Sequence, residues 1–138
     1  MIPLYKPYMP AELPELNAIL HSGALAYGEK GKQFEQKLSS FIGIEQLIIV
    51  NSFNSAVLVA LSTLGIKSGD EIIASPMACL SSNQPPVTIG TKVIWADVDP
   101  ATGTLDPESV KQKITSKTKA ILHNHFCGYP GYIDELMR

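Results

Sequence analysis

Along the chain, apolar positions switch between two spacings. Leu13, Leu16, Ile19 and Leu20 recur at helical intervals, which predicts a short helix over 11–21 with Gly23 as its stop. Phe34, Leu38 and Phe41 share one face of a second predicted helix over 32–41, closed by Gly43. Between them, residues 22–31 hold three glycines and read as a loop. The run Gln46–Val50 (QLIIV) is short and almost continuously apolar. It predicts a strand buried on both faces of a parallel sheet. Asn51–Asn54 reads as a polar turn and Ser55–Leu64 as an apolar helix ending near Gly65. Buried strands follow at Glu71–Ala74, Lys92–Ala96 and Lys119–His123. Ser81–Gly90 is ambiguous, because Pro85 and Pro86 argue against a long helix. Pro107–Ile114 reads as a helix capped by Asp106, Gly128–Gly131 as a turn, and Tyr132 onward as the start of another helix. Three of the ten prolines lie in residues 1–10, which favours an extended arm there.

Strands alternating with helices at this spacing imply βαβ units, hence an α/β fold with a mainly parallel sheet and flanking helices. With 138 residues and no repeat, charge run or low-complexity tract, one domain over 1–138 is expected. Ligands bind such sheets at the carboxyl ends of their strands, so the loops to inspect are 51–55, 75–81, 97–104 and 124–130. A net charge of -2 gives no electrostatic case for nucleic acid. The longest apolar stretches run about five to eight residues, against the roughly 20 of a membrane-spanning helix. MIPLYKPYMP has no basic segment followed by an apolar one, so no signal peptide is expected. Two cysteines are too few for a disulfide scaffold, and a reduced, cytoplasmic protein is the expectation.

Each loop has two readings. The stretch Asn51-Ser52-Phe53-Asn54-Ser55 precedes a helix, where free amides and the helix dipole can hold an anion; an ordinary N-cap by Ser52 or Asn54 is the plainer reading. Cys79, after Ser75-Pro76-Met77-Ala78, is a candidate nucleophile without an identifiable base, and a small buried thiol is the default. In an extended strand His123, His125 and Cys127 would share one face as possible zinc ligands, but no cluster elsewhere supplies the remaining ligands. Asp97 and Asp99 are paired carboxylates; Pro100 and Gly103 favour a turn over acid–base chemistry. No GxGxxG, Walker or nucleophile-elbow motif is present.

Four stretches, in order, carry a resemblance. They are SGALAYGEKGKQFEQKLSSFIG (22–43), IIVNSFNSAVLVALSTLGIKSGDEII (48–73), KVIWADVDPATGTLDPESVKQKITSKTKAI (92–121) and HFCGYPGYIDEL (125–136). As a set they resemble the N-terminal part of the DegT/DnrJ/EryC1/StrS family of pyridoxal-phosphate (PLP) sugar aminotransferases. The resemblance implies a truncated large domain of the aspartate aminotransferase fold (fold type I). It places the cofactor phosphate on backbone amides of a turn that reads roughly Ser-Gly-Thr-x-Ala in the family and Ser52-Phe53-Asn54-Ser55-Ala56 here. The cofactor-binding residues so implied are Ser52, Asn54, Ser55 and Cys79, the last where the family often sets Trp or Phe against the pyridine ring. The aspartate that pairs with the pyridine nitrogen and the lysine that binds the cofactor come, in the family, after the HFCGYPGYIDEL stretch, and none of the ten lysines here matches that lysine's motif. No catalytic residue is therefore assigned. Implied partners are a nucleotide-linked keto sugar, an amino donor (commonly glutamate), and a second subunit or complementing chain. The alternatives are a non-catalytic interaction or split-enzyme subunit, or a gene remnant.

Overall fold

A computed structural model describes residues 6–138. The part of the predicted arm within residues 1–5 lies outside the described residues; residues 6–10 carry no helix or strand. The chain divides into two compact units, Met1–Ile49 and Val50–Arg138.

The first unit contains helices α1 (Leu16–His21) and α2 (Glu29–Ile42). Helix α1 starts five residues later than its periodicity predicts. Pro14 disfavours helical backbone at Leu13, and the first hydrogen bond of the turn runs from Leu16 N to Leu13 O at 3.0 Å. Helix α2 starts three residues earlier than predicted, because Gly28 is extended and Glu29 sits favourably against the helix dipole. Gly43 ends it in the left-handed region at φ +79, and Ile44 N–H returns to Ser39 O at 3.2 Å, as in a Schellman motif. Glu35 accepts from Tyr27 Oη and from Ile49 N (2.8 Å), which ties both the preceding loop and the following segment to α2. The predicted buried strand at 46–50 is not formed. Those residues pair with no strand, Ile48 is 67% exposed, and Val50 is exposed too. An apolar run becomes a strand only where a neighbour satisfies its backbone, and none is present among the described residues.

The second unit is built on a three-stranded, all-parallel sheet in the order β2-β1-β3, from β1 (Glu71–Ala74), β2 (Lys92–Trp95) and β3 (Thr118–Leu122). Every residue of the central strand β1 is buried. Successive strand side chains face opposite ways, and β1 uses this to seed two cores. Ile72 packs with Val57, Leu61 and Ile66, joined by Ile89 and Leu122. Ile73 packs with Ala96, Leu105 and Val110, joined by Ile121 and Leu136. Helices α3 (Phe53–Thr63), α4 (Leu80–Thr88), α5 (Pro107–Lys113) and α6 (Ile133–Leu136) complete the unit.

The ambiguous stretch 81–90 is helical as far as Thr88 despite its prolines and ends in a turn at 89–90. Pro85 and Pro86 are fully buried, and burial offsets the roughly 3 kcal/mol that a proline costs inside a helix. At the C-terminal end of the helix, Pro86 O accepts from Thr91 Oγ1 at 2.7 Å and from Thr91 N at 3.2 Å. Asp106 caps α5 as predicted, accepting from Glu108 N at 3.0 Å with Pro107 in the first turn.

Candidate functional site: the loops beyond the sheet

Helix α3 begins at Phe53, two residues before its predicted start, because Ser52 acts as N-cap in extended conformation (φ -160, ψ 160). Ser52 Oγ accepts from Ser55 N at 3.1 Å and lies 2.9 Å from Ser55 Oγ, which in turn donates to Asn51 Oδ1 at 2.7 Å. The Asn54 amide is in the first turn, where no intrahelical carbonyl can reach it. Asn54 Nδ2 donates to Gln84 Oε1 at 3.4 Å, so this turn leans on α4. Of the Asn54 and Ser55 amides, Asn54 N–H is open to a ligand and Ser55 N–H is held by the Ser52 hydroxyl.

Cys79 stands at the N-terminal boundary of α4, and its thiol is exposed. The expectation of a small buried thiol is thus wrong. Asn83, one turn into the helix, takes the buried place instead and donates to Ser75 O at 3.0 Å. This bond fixes loop 75–79 against α4, and nothing in the local pattern of an ambiguous, proline-containing segment signals it. Ser52, Asn54 and Ser55 form one turn, with α4 reached through Gln84; among the described residues no hydrogen bond joins Cys79 to them.

Beyond the sheet, three loops converge on Gly103. A Cβ there would lie 3.0 Å from Phe126 Cδ1 and 3.7 Å from Met77 Cε, so loops 75–79, 97–104 and 124–128 meet at this backbone. The predicted aspartate turn is present: Asp99 Oδ1 accepts from Ala101 N at 2.6 Å, and Val98 and Leu105 bridge across it. Asp97 N is held by Ser109 Oγ at 2.9 Å. Tyr132 Oη donates to Asp99 Oδ2 at 2.9 Å, joining the turn to the start of α6. His123 Nε2 donates to Pro130 O at 2.8 Å. The shared face expected of His123, His125 and Cys127 does not form. The strand ends at Leu122, and Phe126–Gly128 is a tight turn in which Cys127 has φ +52. Among the described residues no three metal-ligating side chains come together.

The Ala101 amide, followed by the Tyr132 hydroxyl, holds the Asp99 carboxyl below its usual value of 3.8, and Asp99 in turn raises the Tyr132 phenol above 10.0. A depressed carboxylate stabilises the fold above the ordinary aspartate range, and that contribution fades as pH falls through the lower folded value. A raised phenol contributes below its ordinary value, and its contribution fades as pH rises through the folded one. Asp99→Asn is therefore expected to flatten the acid limb of a plot of urea midpoint against pH. An acid limb unchanged from the parent's would mean that Asp99 does not report on folding.

Among the described residues no helix is long and apolar enough to cross a membrane. An open, largely apolar groove of about 770 Å³ lies within the first unit, lined by α1, loop 22–28 and the start of α2, and holds none of the predicted site residues.

The sequence pattern of the DegT/DnrJ/EryC1/StrS aminotransferase family matches residues 9–138. The chain belongs to this family. It is 34% identical over 126 residues to the spore coat polysaccharide biosynthesis protein SpsC of Bacillus subtilis, covering 91% of this chain and 32% of SpsC. Among solved structures it resembles the PMP form of Spr1654, a putative sugar aminotransferase of Streptococcus pneumoniae, with a TM-score of 0.91 and 29% identity over 99% of this chain and 35% of that one. The sugar aminotransferase CalS13 of Micromonospora echinospora matches with a TM-score of 0.90 and 32% identity, over 99% of this chain and 38% of that one. The chain thus spans about a third of the length of these relatives. The family settles the α/β fold as that of the sugar aminotransferases and overturns none of the strands seen here.

Proposed function

We propose that this DegT/DnrJ/EryC1/StrS chain supplies the phosphate-binding turn of a PLP-dependent aminotransferase acting on nucleotide-linked keto sugars, with glutamate as amino donor. The observation that carries this reading is the start of α3. An 11-residue helix opens with an uncommitted Asn54 amide, flanked by the hydroxyls of Ser52 and Ser55 and by no acidic side chain in its first turn. That donor set fits a phosphate. The Ser52 hydroxyl, now capping Ser55 N, would turn to donate to a phosphate oxygen and release the second amide. Cys79, exposed at the edge of the neighbouring loop, would pack against the ring. When bound, PLP supplies an electron sink.

The lysine and the aspartate that this chemistry needs belong, on this reading, to the two thirds of the family's length that have no counterpart in these 138 residues. Solved relatives in PMP and PLP forms support the cofactor. A cytoplasmic location and a dimer, or a complementing chain in its place, complete the proposal. Both units are then parts of one N-terminal portion of the large domain.

Titrating the chain with PLP and with inorganic phosphate as competitor tests it. Expected is weak, phosphate-competed binding that leaves no covalent lysine adduct after borohydride reduction. Ser52→Ala is expected to weaken it about tenfold, the scale of one hydrogen bond to a charged group, and to cost about 0.5–2 kcal/mol of stability through the lost cap. Binding that phosphate does not displace would remove the turn from the site. An adduct at one of the ten lysines would overturn the assignment of the lysine to the remaining chain.

A further inference from the structure

The turn after β3 leaves one buried ring nitrogen without a partner. His123 follows Leu122, the last residue of the strand, and Leu122 is in register with Ala74 of β1, so the ring stands at the carboxyl end of the sheet. Its Nε2 lies 2.8 Å from Pro130 O. A carbonyl only accepts, so Nε2 carries the proton and Nδ1 holds a lone pair. Nδ1 is buried and has no hydrogen-bond partner. A buried acceptor without a donor is costly to keep. His125 is exposed, and its ring meets that of His123 at 67° with centroids 5.5 Å apart.

These are the features of a metal ligand. A histidine that binds a metal through one nitrogen donates its other N–H to a carboxylate, a carbonyl or water, which fixes the tautomer and the ring orientation. The Pro130 carbonyl does this for His123. With bonds of about 2.1 Å, two imidazoles on one ion at near-tetrahedral angles have centroids roughly 5–6 Å apart. The spacing here falls within that range. An edge contact between aromatic rings also accounts for the spacing, but not for the buried lone pair.

We propose that His123 Nδ1 and His125 form a two-histidine site for a divalent ion of the zinc type. Imidazole favours zinc, nickel and copper over magnesium and calcium, which take oxygen ligands. Among the described residues no third histidine, cysteine or carboxylate joins them, so the remaining coordination positions belong to water or a small ligand. The ion would tie the exposed turn after β3 to the end of the sheet. The site is independent of the phosphate turn at 52–55.

Titrating the chelator-treated chain with zinc tests it, read by calorimetry and by NMR of the imidazole nitrogens of its three histidines. Expected is one zinc per chain, with His123 ligated through Nδ1 while Nε2 keeps its proton, and no binding of magnesium. His123→Gln and His125→Ala should each weaken zinc binding by about 100-fold, the upper end of what losing an outer-shell partner costs a metal site. His125 is exposed, so its variant remains readable if His123→Gln unfolds the chain. His21→Ala should leave the affinity unchanged. Zinc that perturbs His125 alone would reduce the site to an adventitious ion on a surface histidine. Unchanged affinity in the His125 variant, or no zinc bound, would overturn the proposal.

Discussion

Ile73→Ala is expected to destabilise the second unit by about 2–5 kcal/mol, the range for removing a buried branched side chain. Ile73 is fully buried in the middle of β1, against Ala96 just past β2, Leu105 in the connection that follows, and Val110 of α5. Its neighbours belong to a strand end, a bridge and a helix whose positions are set by the same contact, so the site has little room to collapse. A domain of this size has about 5–15 kcal/mol of stability in all, so the loss is a large share of it. Trp95, the single tryptophan, lies on β2, the adjacent strand, and reports unfolding by fluorescence. The urea midpoint should fall with little change in slope. Phe41→Ala is the control: the side chain is larger, but at 88% exposure its loss should stay within about 0.5 kcal/mol. Equal effects from the two would mean that the Ile73 core is not packed as described.

That contrast also shows what the sequence can reveal. EIIA at 71–74 and LIIV at 47–50 look alike as text, both short and apolar between polar ends. The first is the buried centre of the sheet, and the second pairs with nothing. Periodicity reports which residues favour burial; it carries no information on whether a neighbouring strand is present. The same limit appears in α4. Pro85 and Pro86 weigh against a helix locally, and only their complete burial in the fold decides the matter.

The candidate site divides in the same way. The Ser52 cap and the Asp99 turn are local chemistry, side chain to nearby backbone; the turn is legible in the sequence, and the cap is legible as a choice between Ser52 and Asn54 that the structure decides for Ser52. The exposure of Cys79, the Asn83 bond to Ser75 O and the meeting of three loops at Gly103 depend on contacts between separate segments. No short window of sequence contains them. The family resemblance reached further than the local patterns because its segments were matched together, in order, along the chain.

Gly131→Ala is expected to cost about 2–5 kcal/mol, although it adds a single methyl group. Gly131 has φ +61, a left-handed conformation that costs an L-residue roughly 1–2 kcal/mol. A Cβ there would lie 2.0 Å from Thr104 Oγ1 and 2.7 Å from Thr104 Cβ. Thr104 cannot move aside easily. It is 1% exposed, its hydroxyl lies 2.9 Å from Thr102 Oγ1, and its carbonyl accepts from Asp99 N at 2.9 Å. Overpacking a site of this kind adds about 1–3 kcal/mol. Thr104→Gly removes both clashing atoms, so the double variant should cost less than the sum of the two single ones, by about 0.5–3 kcal/mol. Additive costs would show that backbone strain alone accounts for the loss. The displacement has a second consequence. Tyr132 follows Gly131 and donates to Asp99 at 2.9 Å, so pushing residue 131 away from Thr104 pulls that hydroxyl off the carboxylate. Gly131→Ala should therefore also weaken the acid dependence assigned to Asp99, and the Thr104→Gly background should restore it. Thr104 and Gly131 thereby clamp the turn after β2 to the turn after β3.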